Sequence, residues 1–219
     1  FSWRKMGTTL SRKGGKEEAI LYYDEHLLIH PQDAEVWKLK AEKCIAADLA
    51  KEAFICCERA IQLNPHDITV LLYKGYLLAD FFHNYEEANE CYDIALTITS
   101  RDSKIWHLKG LALHNLDLFK KAIACYNKSL RINRKNALTW KDKGDSLNCL
   151  ALEKKALVCY KKSLKLEPEN PYFWYIAALT YDEVGKEAES IQAYKEVIRL
   201  AVPNNADLAN QARMALNRT

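Results

Sequence analysis

Four cysteines recur at one spacing: Cys56, Cys91, Cys125 and Cys159 stand 35, 34 and 34 residues apart. Thiols in such a ladder could bind a soft metal or exchange disulfides. Yet Cys44, Cys56, Cys57, Cys91, Cys125, Cys149 and Cys159 contain no C-x-x-C pair, so neither a zinc knuckle nor a thioredoxin-like motif is indicated. His107 and His114, with Asp142 and Asp145 a repeat later, suggest a mixed imidazole–carboxylate metal site. Seven helical residues separate two such imidazoles by about 10 Å, too far to share one ion. A polar binding surface is the better reading. Gly14-Gly15-Lys16 lacks the rest of a phosphate-cradling G-x-x-x-x-G-K-[ST]. Nor is there a G-x-S-x-G, an H-E-x-x-H or a dinucleotide fingerprint. The expectation is therefore a non-enzyme, with no catalytic residue, metal, cofactor or small-molecule substrate.

Charge is the other chemical signal. Residues 103–170 hold 15 Lys and Arg against 6 Asp and Glu, whereas residues 1–102 hold 12 against 17. Nine of these basic residues are Lys120, Lys121, Lys128, Arg131, Lys154, Lys155, Lys161, Lys162 and Lys165. A stripe of that kind can hold RNA, an acidic protein or an anionic membrane surface. No aromatic platform is interleaved with the lysines, so a solvated face is favoured and nucleic acid is the second reading.

The elements that must position these groups come from composition and period. Seven Gly and five Pro in 219 residues suit long helices and disfavour a many-turned β fold. No apolar run reaches the roughly 18 residues of a membrane span, and no signal peptide is visible. Unpaired thiols at this density suit a reducing cytoplasm. With no Met at its start, the chain reads as a piece of a longer protein.

One register runs Trp3, Trp37, Leu71, Trp106, Trp140, Trp174, in steps of 34, 34, 35, 34 and 34. Four residues after each stands Gly7, Ala41, Gly75, Gly110, Gly144 or Ala178. A second ladder is Ala19, Ala53, Ala88, Ala122, Ala156 and Ser190, followed four residues on by Tyr23, Cys57, Tyr92, Tyr126, Tyr160 and Tyr194. A third is His26, Ala60, Ala95, Ser129, Ser163 and Val197. Each unit carries two apolar stripes at helical spacing with a short polar break, which predicts an αα-hairpin. Small residues allow the two helices to approach, and the rings fill the space beside them. One hairpin cannot bury its own apolar faces, so hairpins stack.

In Trp140, Lys143, Gly144, Leu147, Ala156, Tyr160, Ser163 and Pro168 the unit resembles the tetratricopeptide repeat. Pro31, Pro65 and Pro168 hold the unit-ending proline, whereas Ser100, Arg134 and Val202 replace it. His26 stands where a small residue belongs, and the third unit has one extra residue within Phe81–Tyr85. The resemblance implies an all-α, α-α superhelix (solenoid) of six hairpins. It is expected as a single array over 1–219, with repeats at about 1–33, 34–67, 68–102, 103–136, 137–170 and 171–204 and a capping helix at 205–217.

The same resemblance implies a protein-interaction scaffold whose partner, a protein or peptide segment, lies in a concave groove lined by the first helices. The second helices, with the basic stripe, form the convex face. Carried over, the groove is Arg4, Arg12, Lys38, Leu72, Tyr73, Tyr76, His107, Leu108, Leu111, His114, Asp142, Asp145, Tyr175 and Leu179. Tyr76 and Leu111 are expected to face solvent. The clamp that grips chaperone C-termini is incomplete, since its places hold Thr8, Leu39, Glu42, Leu111 and Asp142. A ligand with an apolar middle and oppositely charged ends would suit the remainder.

Overall fold

The computed structural model describes residues 15–201 and 205–217; Arg4 and Arg12 lie outside the described residues. Those described form twelve α-helices and no strand. The chain divides into two compact units between Arg101 and Asp102. The first unit holds α1 (Lys16–Ile29), α2 (Ala34–Ala46), α3 (Ala50–Leu63), α4 (Ile68–Asp80) and α5 (Tyr85–Ile98). In the second are α6 (Ser103–Asn115), α7 (Phe119–Ile132), α8 (Ala137–Asn148), α9 (Glu153–Leu166), α10 (Pro171–Glu183), α11 (Glu187–Ala201) and α12 (Ala206–Leu216). The hairpins α2/α3 and α4/α5 stack within the first unit, with α1 packed on α2; α6/α7, α8/α9 and α10/α11 stack within the second, and α12 packs on α11.

Local chemistry fixes where each hairpin starts and turns. Asp33, Asp67, Asp102, Asn136 and Asn170 cap α2, α4, α6, α8 and α10, each accepting from a backbone N–H inside the first turn. Such a cap is worth about 1 kcal/mol. Between the helices of a hairpin one residue takes the left-handed conformation: Asp48, His83, Asp117, Ala151 and Gly185, with φ from 52° to 70°. Only Gly185 adopts it freely; a residue with a Cβ pays about 1 kcal/mol or more. The indole N–H of Trp37, Trp140 and Trp174 donates to the carbonyl six residues upstream, that of Pro31, Arg134 and Pro168. That bond ties the tryptophan ladder to the turn before it.

Packing follows the small-residue ladders. Ala19, Ala53, Ala88, Ala122, Ala156 and Ser190 are fully buried, and so are Tyr23, Cys57 and Tyr126. A Cβ built on Gly75 would lie 2.6 Å from the Tyr92 ring, and those on Gly110 and Gly144 would strike the rings of Tyr126 and Tyr160. Each glycine is therefore the seat of one tyrosine. Where the glycine is replaced by Ala41, the tyrosine is replaced by Cys57, and both are buried in one cluster. All seven cysteines are free thiols and six are buried, so the ladder Cys56, Cys91, Cys125, Cys159 fills core positions. Burial pushes the Cys91 thiol up to about 11 and that of Cys57 to about 12, which makes both poor nucleophiles.

Candidate functional site

The first helices α2, α4, α6, α8 and α10 carry the described residues assigned to the groove. In the first unit Lys38 leaves α2 and pairs with Glu35 at 2.6 Å and with the α4 cap Asp67 at 3.1 Å. Burial would lower its pKa, but the hydrogen bonds that it donates to both carboxylates hold it above the ordinary value. Leu72 and Tyr73 are half-buried on α4, and burial together with the charge of Glu42 raises the Tyr73 phenol. Tyr76 is 36% exposed and meets Phe81 edge-on at 5.9 Å. The extra residue of this unit lies in the four-residue turn 81–84, which leaves Phe81 and Phe82 exposed, with Phe82 edge-on against Phe54 at 5.3 Å. An accessible aromatic patch thus adjoins Tyr76. Its sequence signal was the extra residue in Phe81–Tyr85.

In the second unit the polar residues of neighbouring first helices meet. His107 Nε2 on α6 donates to Asp142 on α8 at 2.5 Å. Lys141 pairs with Asp142 at 2.7 Å and Asp145 at 3.1 Å, while the Tyr160 hydroxyl donates to Asp145 at 2.9 Å. His114 Nδ1 is hydrogen-bonded to Ser146 Oγ at 2.7 Å, and its ring packs edge-on against Phe119. Burial alone would raise the Asp142 carboxyl, but hydrogen bonds from His107 and Lys141 outweigh it and hold the group below its ordinary value. For Asp145 burial wins over Lys141 and Tyr160, and the carboxyl is raised. So Asp142 is buried and committed to internal partners.

The apolar members differ from one another in access. Leu108 and Leu111 are half-buried, so Leu111 reaches solvent only in part, less than expected. Leu179 is 40% exposed, and Tyr175 packs edge-on against Tyr194 at 6.2 Å. Tyr175 and Leu179 line a cavity of about 360 Å³ with Asp182, Tyr194 and the α12 residues Gln211, Met214 and Ala215. The C-terminal helix thus supplies a wall to this part of the face, a role that its capping pattern did not reveal. Among the described residues no cluster of His, Cys, Asp and Glu could hold a metal ion. None of their helices is long and apolar enough to cross a membrane.

All nine basic stripe residues, Lys120 to Lys165, are exposed on α7 and α9. Three of the lysines do lie over aromatic rings, which they cover instead of leaving open as a platform. Lys128 Nζ stands 4.0 Å over the Trp106 ring, Lys162 Nζ 4.0 Å over Trp140, and Lys161 Nζ 5.4 Å over Tyr181. The rings come from neighbouring first helices, so alternation along the second helix could not show them. A lysine 22 residues after each of these tryptophans was the available signal.

Residues 103–136 and 159–192 match models of the tetratricopeptide repeat. The human (Homo sapiens) cilia- and flagella-associated protein 70 is 32% identical over 95 residues, which is 43% of this chain and 8% of that protein. Human tetratricopeptide repeat protein 7A is 35% identical over 82 residues, 37% of this chain and 9% of that protein. The chain spans less than a tenth of the length of these curated relatives. Among solved structures, the type IV pilus biogenesis factor PilW is similar with a TM-score of 0.82 at 14% identity, covering 95% of this chain and 96% of its own. Pseudomonas aeruginosa pilF gives 0.77 at 19%, covering 97% and 96%. YrrB, described as having an unusual peptide-binding site, gives 0.68 at 17%, covering 88% and 97%. At these identities the likeness is one of fold.

Proposed function

We propose that this chain, whose residues 103–136 and 159–192 match the tetratricopeptide repeat, is a non-catalytic scaffold that binds segments of a partner protein on its first-helix faces. The array is read as six units with a capping helix, and its buried free thiols suit the cytoplasm. One observation carries the reading: large apolar side chains stay accessible on first helices that have already met their packing needs. Tyr76 is 36%, Leu179 40% and Tyr172 49% exposed. Within each unit the first helices also carry polar groups, Lys38 in the first and Asp145 and Asp182 in the second, the make-up of interface anchors, in which a few aromatics carry most of the affinity. Peptide binding by YrrB, the same fold, adds support.

Two variants test this, one for each compact unit. Tyr76→Ala and Tyr172→Ala/Leu179→Ala should each weaken capture of the native partner by about tenfold or more, since anchor truncations cost about 2 kcal/mol. Far-UV circular dichroism should report retained helix. Leu111 is left intact because its half-burial would confound binding with folding. If both variants capture the same partners as the unmodified chain, the reading fails.

A further inference from the structure

Arg134, Trp140, Lys162, Lys165 and Leu166 line a cavity of about 440 Å³ between the α7–α8 turn and α9. We propose that this cavity is an anion pocket for an acidic segment of a partner polypeptide, separate from the first-helix faces and not resting on their reading. Its volume lies within the roughly 300–1,000 Å³ of ligand pockets. Arg134, Lys162 and Lys165 are exposed, make no ion pair among the described residues, and no carboxylate lines the cavity. The walls are held in place. The Trp140 indole N–H donates to the Arg134 carbonyl at 3.0 Å, which fixes the turn carrying the guanidinium. Lys162 Nζ is seated 4.0 Å over the same indole, and Leu166 supplies an apolar floor.

This combination belongs to one unit. Arg134 occupies the unit-ending place that Pro31, Pro65 and Pro168 fill elsewhere, and Lys162 has Glu196 at the corresponding place of the next unit. The lysine-rich flanks of residues 103–170 extend the positive field around the mouth and steer an acidic chain towards it. Nucleic acid fits less well, because single strands need open rings on which bases stack. Here Trp140 is only 9% exposed, with Lys162 and Lys143 against its ring.

Fluorescence anisotropy tests the pocket with a short labelled peptide of glutamates around a central leucine. Its glutamine counterpart and a labelled oligouridylate serve as comparators. Arg134→Gln/Lys162→Gln/Lys165→Gln should weaken the glutamate peptide about tenfold or more, as loss of a converging charge set does. Lys120→Gln/Lys121→Gln/Lys154→Gln removes equal charge elsewhere on the stripe and should cost less than about threefold. Arg134→Gln alone keeps the backbone carbonyl that Trp140 needs and should still cost several-fold, which guards against misfolding of the triple variant. Tyr76→Ala should leave this affinity unchanged, so the pocket and the first-helix faces fail or stand separately. Equal losses in the two triple variants would overturn the pocket, as would tighter binding of oligouridylate than of the glutamate peptide.

Discussion

Truncating Tyr126 to Ala should destabilise the second unit by about 3–5 kcal/mol, the range for removing a large side chain from a closed core. The ring is fully buried, sits over Gly110 and lies 5.9 Å from the His107 ring. The cavity cannot collapse easily, because Gly110 and Ala122 offer no side chain long enough to fill it. A companion variant separates this seat from generic core loss. Gly110→Ala alone should cost about 1–3 kcal/mol, as overpacking against the ring exceeds the roughly 1 kcal/mol of helix propensity gained. In the Tyr126→Ala background the same Gly110→Ala should become neutral or stabilising, because the ring it would strike is gone. Urea denaturation of the four proteins, followed by circular dichroism, gives the coupling. Additive effects would mean that glycine and ring are independent.

Asp142→Ala should cost about 3 kcal/mol near neutral pH, the lower end for breaking a buried pair, since Lys141 keeps Asp145. The pH dependence follows from the depressed carboxyl. A group whose folded pKa lies below its ordinary 3.8 adds stability that is present above that value and is lost as pH falls through the folded one. Asp145, raised by burial, acts with the opposite sign, so the acid response of the unmodified chain is partly masked. The difference between the chain and Asp142→Ala reports what depends on the Asp142 carboxylate, its effect on Asp145 included. It should be constant above about pH 5 and shrink below the ordinary carboxylate range. A difference that persists unchanged into acid would show that packing, and not the ionised carboxylate, holds these two helices.

Much of this fold was legible because its cause repeats. The ladders ending in Tyr92, Tyr126 and Tyr160 announce hairpins, and the glycines at 75, 110 and 144 announce their seats. The caps Asp33, Asp67, Asp102, Asn136 and Asn170 repeat just as regularly, and only the structure drew attention to them. What was illegible depends on neighbours in space. Leu111 has the sequence position of a groove residue, yet the helices beside it half-bury it. Asp142 was carried over as a groove residue, yet in space it is closed in by His107 and Lys141. Lys162 over Trp140 joins residues of two helices, so alternation within either one hides the pair. The wall that α12 lends to Tyr175 and Leu179 is likewise set by how a terminal helix docks, which no repeat encodes.

Hydrogen exchange of the chain with and without its captured partner tests the central claim most directly. Backbone amides reveal which helices a partner covers without any substitution. The expected footprint is slowed exchange along α4 and α10, where Tyr76 and Leu179 reach solvent, extending to the exposed edges of α2 and α8. Protection confined to α7 and α9, with α4 and α10 exchanging as in the free chain, would contradict the first-helix reading and move the partner to the basic face.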